Sequence, residues 1–335
     1  MARTLRRLGA VLLVLGLLTG LAGWQALRLY QTPGPLVAPA QVVVPRGGTE
    51  VIAGALLQAG VIEDARSFAA AAWATRGAGP LRAAEFAFPP GASLEQVLGV
   101  LRTGRPVQHR LTIPEGLTAR QIAALLRETP GLVGEVTAPE EGAVLPETYA
   151  FQRGDDRAAL LRRAEGAMLV ALNTAWTERA EGLPLATPRE ALVLASIVER
   201  ETALPEERPR IAAAFLNRLK RGMPLQSDPT VAYAAASGGA LDRPLSRADL
   251  DRDHPFNTYR IRGLPPGPIA APGMASLRAV TRPATTDELY FVADGSGGHA
   301  FARTLEEHNR NVARWREIER RRAENAGPAT APTTR

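Results

Sequence analysis

The sequence predicts an α+β chain in three parts: an N-terminal transmembrane helix, a small α/β module and a larger mixed α+β domain. Three observations carry this. An uncharged run of twenty residues lies near the N-terminus and is followed by a Pro-rich tether. Short β-alternating runs then interleave with capped helical stretches up to about residue 105. Beyond 106 come longer apolar helices, an extended Gly/Pro-rich region and a terminal strand, turn and polar helix. The expected boundaries are 1–7 (N-terminus), 8–27 (span), 28–40 (linker), 41–105 (small module), 106–320 (large domain) and 321–335 (disordered tail).

Composition narrows the function classes. The chain has 335 residues, 45% of them hydrophobic and 22% charged, so it can bury a core and is not disordered as a whole. It has no cysteine, which removes disulfides, thiolate nucleophiles and cysteine-held metals. The net charge is +6, almost all of the positive charge is Arg, and Lys220 is the sole lysine. A balance this mild, with no basic run interleaved with aromatics, argues against nucleic-acid binding.

The first element is the stretch Leu8–Leu27, LGAVLLVLGLLTGLAGWQAL. At about 1.5 Å per residue it matches a hydrocarbon core of about 30 Å. Arg3, Arg6 and Arg7 precede it, so the positive-inside rule keeps the N-terminus in the cytoplasm and exports the remainder. Trp24 and Tyr30 stand where interfacial aromatics belong. The competing reading is a cleaved signal peptide, with Gly20-Leu21-Ala22 as a poor cleavage site. Both readings export the chain. TPGPLVAPA (32–40) follows as a stiff, extended tether.

In the small module, QVVVP (41–45) reads as a strand, and Thr49 is a candidate N-cap for VIAGALLQAGV. A second helix is expected over Ala65–Thr75 and a strand at Glu85-Phe86-Ala87-Phe88. Ser93 then caps LEQVLGVLRTG, with Glu95 near the capping-box position. In the larger domain, Gln108–Ile113 reads as a strand and Thr118–Arg127 as a helix. Thr187-Pro188-Arg189-Glu190 is a strong helix start for ALVLASIVERETA, stopped by Pro205. A helix follows over Glu206–Arg221. Met223–Gly273 has little periodicity and reads as a long functional loop. Glu288–Asp294 reads as a strand, Gly295–Gly298 as a turn and Thr304–Arg322 as a polar helix.

Several chemistries are excluded. Ser296 in the GSGG run is better explained by a strand-to-strand turn than by a nucleophile. There is no nucleophile elbow, P-loop or dinucleotide fingerprint. His109, His254, His299 and His308 lack metal-ligand spacing. Neither a metal nor a cofactor is expected. What remains is a pair of carboxylates at the end of the most apolar soluble helix. Glu201 shares a face with Leu194, Ile197 and Val198, whereas Glu199 faces Leu192, Ala195 and Ser196. An acid on an apolar stripe is desolvated and favours its protonated form, as a general acid requires. The alternative is that both acids pair with Arg200, Arg208 or Arg210, and periodicity leaves this open.

LASIVERETALPEERPRIAAAFLNRLKRGMPLQSDPTVAY resembles the endolytic murein transglycosylases, the YceG-like family. EGAVLPETYAF (141–151), LSRADL (245–250), FNTYRIRGLPPGPIAAPG (256–273) and LYFVADGSGGHAFARTLEEHN (289–309) agree with it. The resemblance covers most of 41–315. One departure is Ala84-Glu85-Phe86, where the family usually has Gly-Glu-Tyr or Gly-Thr-Tyr. The resemblance implies a single anchor, a LysM-like module over 41–105 and a catalytic domain over 106–320. It implies cleavage of nascent peptidoglycan strands between N-acetylmuramic acid and N-acetylglucosamine, leaving a 1,6-anhydro end. The second acid of the E-x-E-T motif, Glu201, is then the catalytic residue. Such a lyase needs one acid, where hydrolysing glycosidases use two. Gln226, Ser227, Asp228, Thr230, Tyr233, Asn257 and Tyr259 are implied sugar contacts, with Glu147 and Tyr149 completing the groove; the alternative for each is loop structure. Implied partners are glycan strands, the plasma (inner) membrane and peptidoglycan synthases, with the catalytic domain in the periplasm. Two alternatives stay open: a non-catalytic wall-binding scaffold, and a water-using muramidase.

Overall fold

The structure is a computed structural model and describes residues 2–326. The chain divides into two compact units. One comprises the residues up to 109 with 150–154, and the other comprises 110–149 with the chain from 155 onward.

The first unit begins with α1 (Ala2–Gln31). Its Leu12–Gln31 stretch is long and apolar enough to cross a membrane, and none of it is buried. A signal sequence meets the same criterion. Then come β1 (Ala40–Val43), α2 (Thr49–Gln58), α3 (Ala65–Ala74), β2 (Glu85–Phe88) and α4 (Leu94–Thr103). β1 and β2 pair antiparallel with Val42 opposite Phe86, which turns Val42, Phe86 and Phe88 into one core. Leu56, Phe68, Leu98 and Leu101 close that core from the helices. The caps differ in detail from the sequence reading. Gly48 is the N-cap of α2 and Thr49 its first residue, with no side-chain cap. Ser93 caps α4 reciprocally with Gln96, because the capping-box partner is the third helical residue and Glu95 is the second. Glu85 is buried but meets His109 at 2.6 Å and Arg153 at 3.4 Å, and these partners hold it below the usual carboxylate range.

β3 (His109–Thr112) and β4 (Thr148–Phe151) fall at the division between the units, and the second unit carries α5 (Ala119–Glu128) and α6 (Arg157–Thr177). β3 and β4 form a two-stranded sheet. Then come α7 (Pro188–Glu201), α8 (Arg208–Lys220), α9 (Asp228–Ala235), α10 (Arg247–Asp251) and α11 (Met274–Thr281). β5 (Tyr290–Ala293), β6 (His299–Ala302) and α12 (Leu305–Ala326) complete the described chain. Thr187 caps α7 through Glu190 N–H, and Pro188 opens it. Every residue from Ala191 to Glu199 is buried, so α7 is the central strut, packed by α6, α8 and α11. The hairpin β5–β6 accounts for the GSGG run. Asp294 accepts from both the N–H and the hydroxyl of Ser296, and Gly295 and Gly297 take positive φ. The region read as one long loop contains α9 and α10. α12 continues through Ala326, past the 321 boundary expected for the tail, and the rest of that tail, 327–335, lies outside the described residues.

Candidate active site

Glu201 is the last residue of α7. The chain leaves the helix at Thr202, which is extended. The Thr202 hydroxyl donates to Glu207 (3.1 Å) and accepts from Leu204 N–H (3.0 Å). Glu207 in turn accepts from His299 N–H and pairs with its ring, each at 2.7 Å. The hydroxyl residue after the acid therefore ties down the turn behind Glu201 and anchors it to the β5–β6 hairpin.

The partner of Glu201 comes from the start of α9. The Ser227 hydroxyl donates to Glu201 Oε1 at 2.5 Å. Ser227 sits at the N-cap position of α9, yet its side chain makes no cap bond, having turned to Glu201 instead. The residue before it, Gln226, has φ of 51°, a left-handed conformation that costs a non-glycine residue on the order of 1 kcal/mol or more. A clamp from 257–259 holds that conformation. Gln226 N–H donates to Thr258 O (3.0 Å), Ser227 N–H donates to Thr258 Oγ1 (2.9 Å), and Thr230 Oγ1 meets Thr258 Oγ1 at 2.8 Å. Tyr259 OH donates to Asp228 at 2.7 Å.

Glu201 keeps some surface access while its carboxyl is surrounded by protein. Loss of water dominates its titration and raises it; Asp228 repels the charged form and adds to the rise. The Ser227 hydrogen bond and the Arg218 guanidinium oppose it, and the balance lies at about 7. Arg218 is a buried cation, held by Leu289 O (2.6 Å) and Leu225 O (2.7 Å).

Glu199 is built differently. Its Oε1 accepts from Arg208 at 2.8 Å and its Oε2 from Gly273 N–H at 2.8 Å. Arg208 also reaches Glu115 at 3.1 Å. Burial raises Glu199 above the ordinary carboxylate range and Glu115 adds to this; Gly273 N–H and Arg208 oppose it. This carboxylate fastens α7 to α8 and to the segment leading into α11. Of the three arginines considered as partners for the two acids, Arg208 takes Glu199, whereas Arg210 pairs with Glu288.

The structure sorts the other candidates. Ser227, Asp228, Tyr259 and Gln226 gather around Glu201, with Gln226 Oε1 accepting from Arg218 at 3.3 Å. Tyr233 lines a neighbouring polar cavity of about 220 Å³ and donates to Glu141 at 3.1 Å. Thr230 and Asn257 are buried, and their side chains bond internally; Asn257 donates to Leu250 O (2.9 Å) and Arg252 O (2.7 Å). They shape the loops. Tyr149 donates to Leu145 O at 2.7 Å, and burial raises it to about 12. The Glu147 side chain is exposed. Among the described residues no hydrogen bond links Glu147 or Tyr149 to the Glu201 cluster. Sequence reasoning passed over Arg218, Thr258 and Glu141. Arg218 gives no signal in a basic helix end. Thr258 is flanked by two polar residues that look more like ligands than it does.

Fold and site together define an α+β protein with a buried carboxyl, raised to about 7, at the end of a buried helix. The sequence matches the YceG-like family over residues 42–314. It is 34% identical over 269 residues to the endolytic murein transglycosylase of Bacillus subtilis, covering 70% of this chain and 73% of that one. It is 31% identical over 283 residues to the endolytic murein transglycosylase of Streptococcus pneumoniae, covering 70% of this chain and 50% of that one. A crystal structure of a YceG-like protein from Listeria monocytogenes aligns with a TM-score of 0.50 at 28% identity, covering 82% of this chain and 99% of the other. The chain belongs to the YceG-like family.

Proposed function

We propose that this chain is an endolytic murein transglycosylase, a lyase that cuts nascent glycan strands between N-acetylmuramic acid and N-acetylglucosamine. The observation that carries this reading is the Glu201 carboxyl, held protonated up to about pH 7 by burial. Glu201 donates its proton to the glycosidic oxygen, and the C1–O bond breaks toward an oxocarbenium-like state. The carboxylate then removes the proton of the C6 hydroxyl of the same sugar, whose oxygen bonds to C1. The proton returns to Glu201, and the product carries a 1,6-anhydro end. The internal nucleophile needs no activated water, and its effective molarity replaces a second carboxylate. Ser227 orients the acid. Asp228, Gln226, Tyr259 and Tyr233 line the glycan path, with Glu147 and Tyr149 at its margin; Thr230 and Asn257 support the loops. The strand–helix–helix–strand part of the first unit serves as a LysM-like glycan-binding module. The apolar helix is a retained single-pass anchor in the plasma membrane, with the catalytic part in the periplasm near peptidoglycan synthases.

A second reading, a water-using muramidase, is supported by Asp228, a second carboxylate close enough to raise Glu201. Digestion of purified sacculi followed by mass analysis of the muropeptides separates the possibilities. Products one water lighter than hydrolysis products support the lyase. Reducing ends support the muramidase, and no products support a scaffold.

A further inference from the structure

We infer that the polar cavity beside α9 is a subsite for a carboxylate of the substrate's stem peptide, with Arg200 as its cation. This rests on the peptidoglycan-cleaving reading of Glu201. Arg200 stands between the two motif glutamates, and its side chain leaves α7 about 100° round the helix from Glu201. It lines the cavity with Gln121 and Tyr233 on the polar side and Pro229, Leu241 and Ile269 on the apolar side. Arg200 Nη1 donates to Gly116 O at 3.1 Å, which tethers one end of the guanidinium. Among the described residues no carboxylate pairs with it. The other guanidinium on the wall, Arg243, is already matched by both oxygens of Asp249, at 2.6 and 2.9 Å. Behind Tyr233, Glu141 is already engaged, accepting from the Tyr233 hydroxyl at 3.1 Å and from Ala119 N–H at 2.8 Å. Arg200, exposed at this wall, is thus the guanidinium left open to an anion from outside the protein.

The ligand follows from this mixture. Sugar hydroxyls are met by neutral donors and acceptors, whereas a guanidinium beside aliphatic walls suits a short aliphatic peptide bearing a carboxylate. In peptidoglycan such a peptide hangs from C3 of the muramyl ring, the ring whose C1–O bond Glu201 addresses. Consecutive residues at a helix end therefore serve neighbouring substituents of one sugar.

The test measures equilibrium binding of the full chain in detergent, in a Glu201→Gln background so that strands are not consumed. Two probes of equal length are used: glycan strands with intact stem peptides, and strands stripped by an amidase, which keep the lactyl carboxylate. Arg200→Gln should weaken binding to peptide-bearing strands about tenfold or more, the value of a charge-assisted pair. Binding to stripped strands should change less than about twofold on the same scale. Arg200→Lys should recover part of the loss. Equal losses on both probes would assign the cation to the lactyl group and overturn the proposal, and so would no loss on either. Cleavage of peptide-bearing strands by the chain with Glu201 intact is followed in parallel. Its absence counts against the catalytic reading alone, and the binding result still decides the subsite.

Discussion

The Ser227 hydroxyl gives its only proton to Glu201 Oε1, at 2.5 Å, from the N-cap position of a helix it would otherwise cap. The loop geometry around it, including the left-handed Gln226 and the Thr258 clamp, keeps that hydroxyl on the acid rather than on the α9 backbone. The bond stabilises the ionised form, so it offsets part of the desolvation that raises Glu201.

Ser227→Ala removes that offset. Glu201 should then titrate above its present value of about 7, and the alkaline limb of kcat/KM should move to higher pH. kcat should fall about tenfold, because the acid loses its orienting bond. The pH–rate profile checks this; a limb moving to lower pH contradicts the assignment.

Asp228→Asn works in the opposite direction. Removing the repelling charge lowers Glu201, so the alkaline limb should shift to lower pH while anhydro ends remain the product. Mass analysis of the products across pH reads both quantities. Loss of all cleavage in a folded variant would instead favour the two-carboxylate, water-using reading.

The same burial makes a stability prediction. Glu201 binds its proton more tightly folded than unfolded, where the usual value is 4.5. Its contribution is therefore most favourable below about pH 4.5 and declines as the pH rises to about 7. Above that it is a constant burden on the order of 3 kcal/mol. Glu201→Gln should unfold at a higher temperature than the parent chain at pH 8. The difference should close on acidification. Thermal unfolding at several pH values tests this, and a variant less stable than the parent at pH 8 would contradict it.

Glu199→Gln should damage the scaffold more than the chemistry. It leaves Arg208 buried with Glu115 as its one carboxylate partner among the described residues, a loss on the order of 3 kcal/mol. Denaturant unfolding should show that loss, while activity per folded molecule falls far less than in Glu201→Gln.

The sequence made α7 legible because cap, Pro188, apolar run and terminal acids all agree along fourteen residues. It also separated the two glutamates by helical face, and Glu199 does find its arginine. α9 and α10 were not legible: with eight and five residues they are too short to show a stripe, and Pro229 reads as a breaker although it opens a helix. α6 carries Leu160, Leu161, Ala164, Met168, Ala171, Leu172 and Ala175 toward the core, a spacing visible in principle but diluted by alanine. The site was half legible. Polar residues near the motif can be named, but which of them face the acid depends on the Thr258 clamp, a contact across about thirty residues that no local pattern encodes. Thr230 and Asn257 look like ligands in sequence for the reason they work as struts: each carries a short polar group that can satisfy backbone or hydroxyl partners nearby.

The most direct measurement is the yield of 1,6-anhydro muropeptides from purified sacculi treated with the parent chain, Glu201→Gln and Glu199→Gln, each verified as folded. General acid–base catalysis is worth about 10²–10⁴-fold, so Glu201→Gln should fall at least that far while Glu199→Gln keeps measurable yield. Near-full yield from Glu201→Gln, or abolition by Glu199→Gln alone, would contradict the assignment of Glu201 as the single acid.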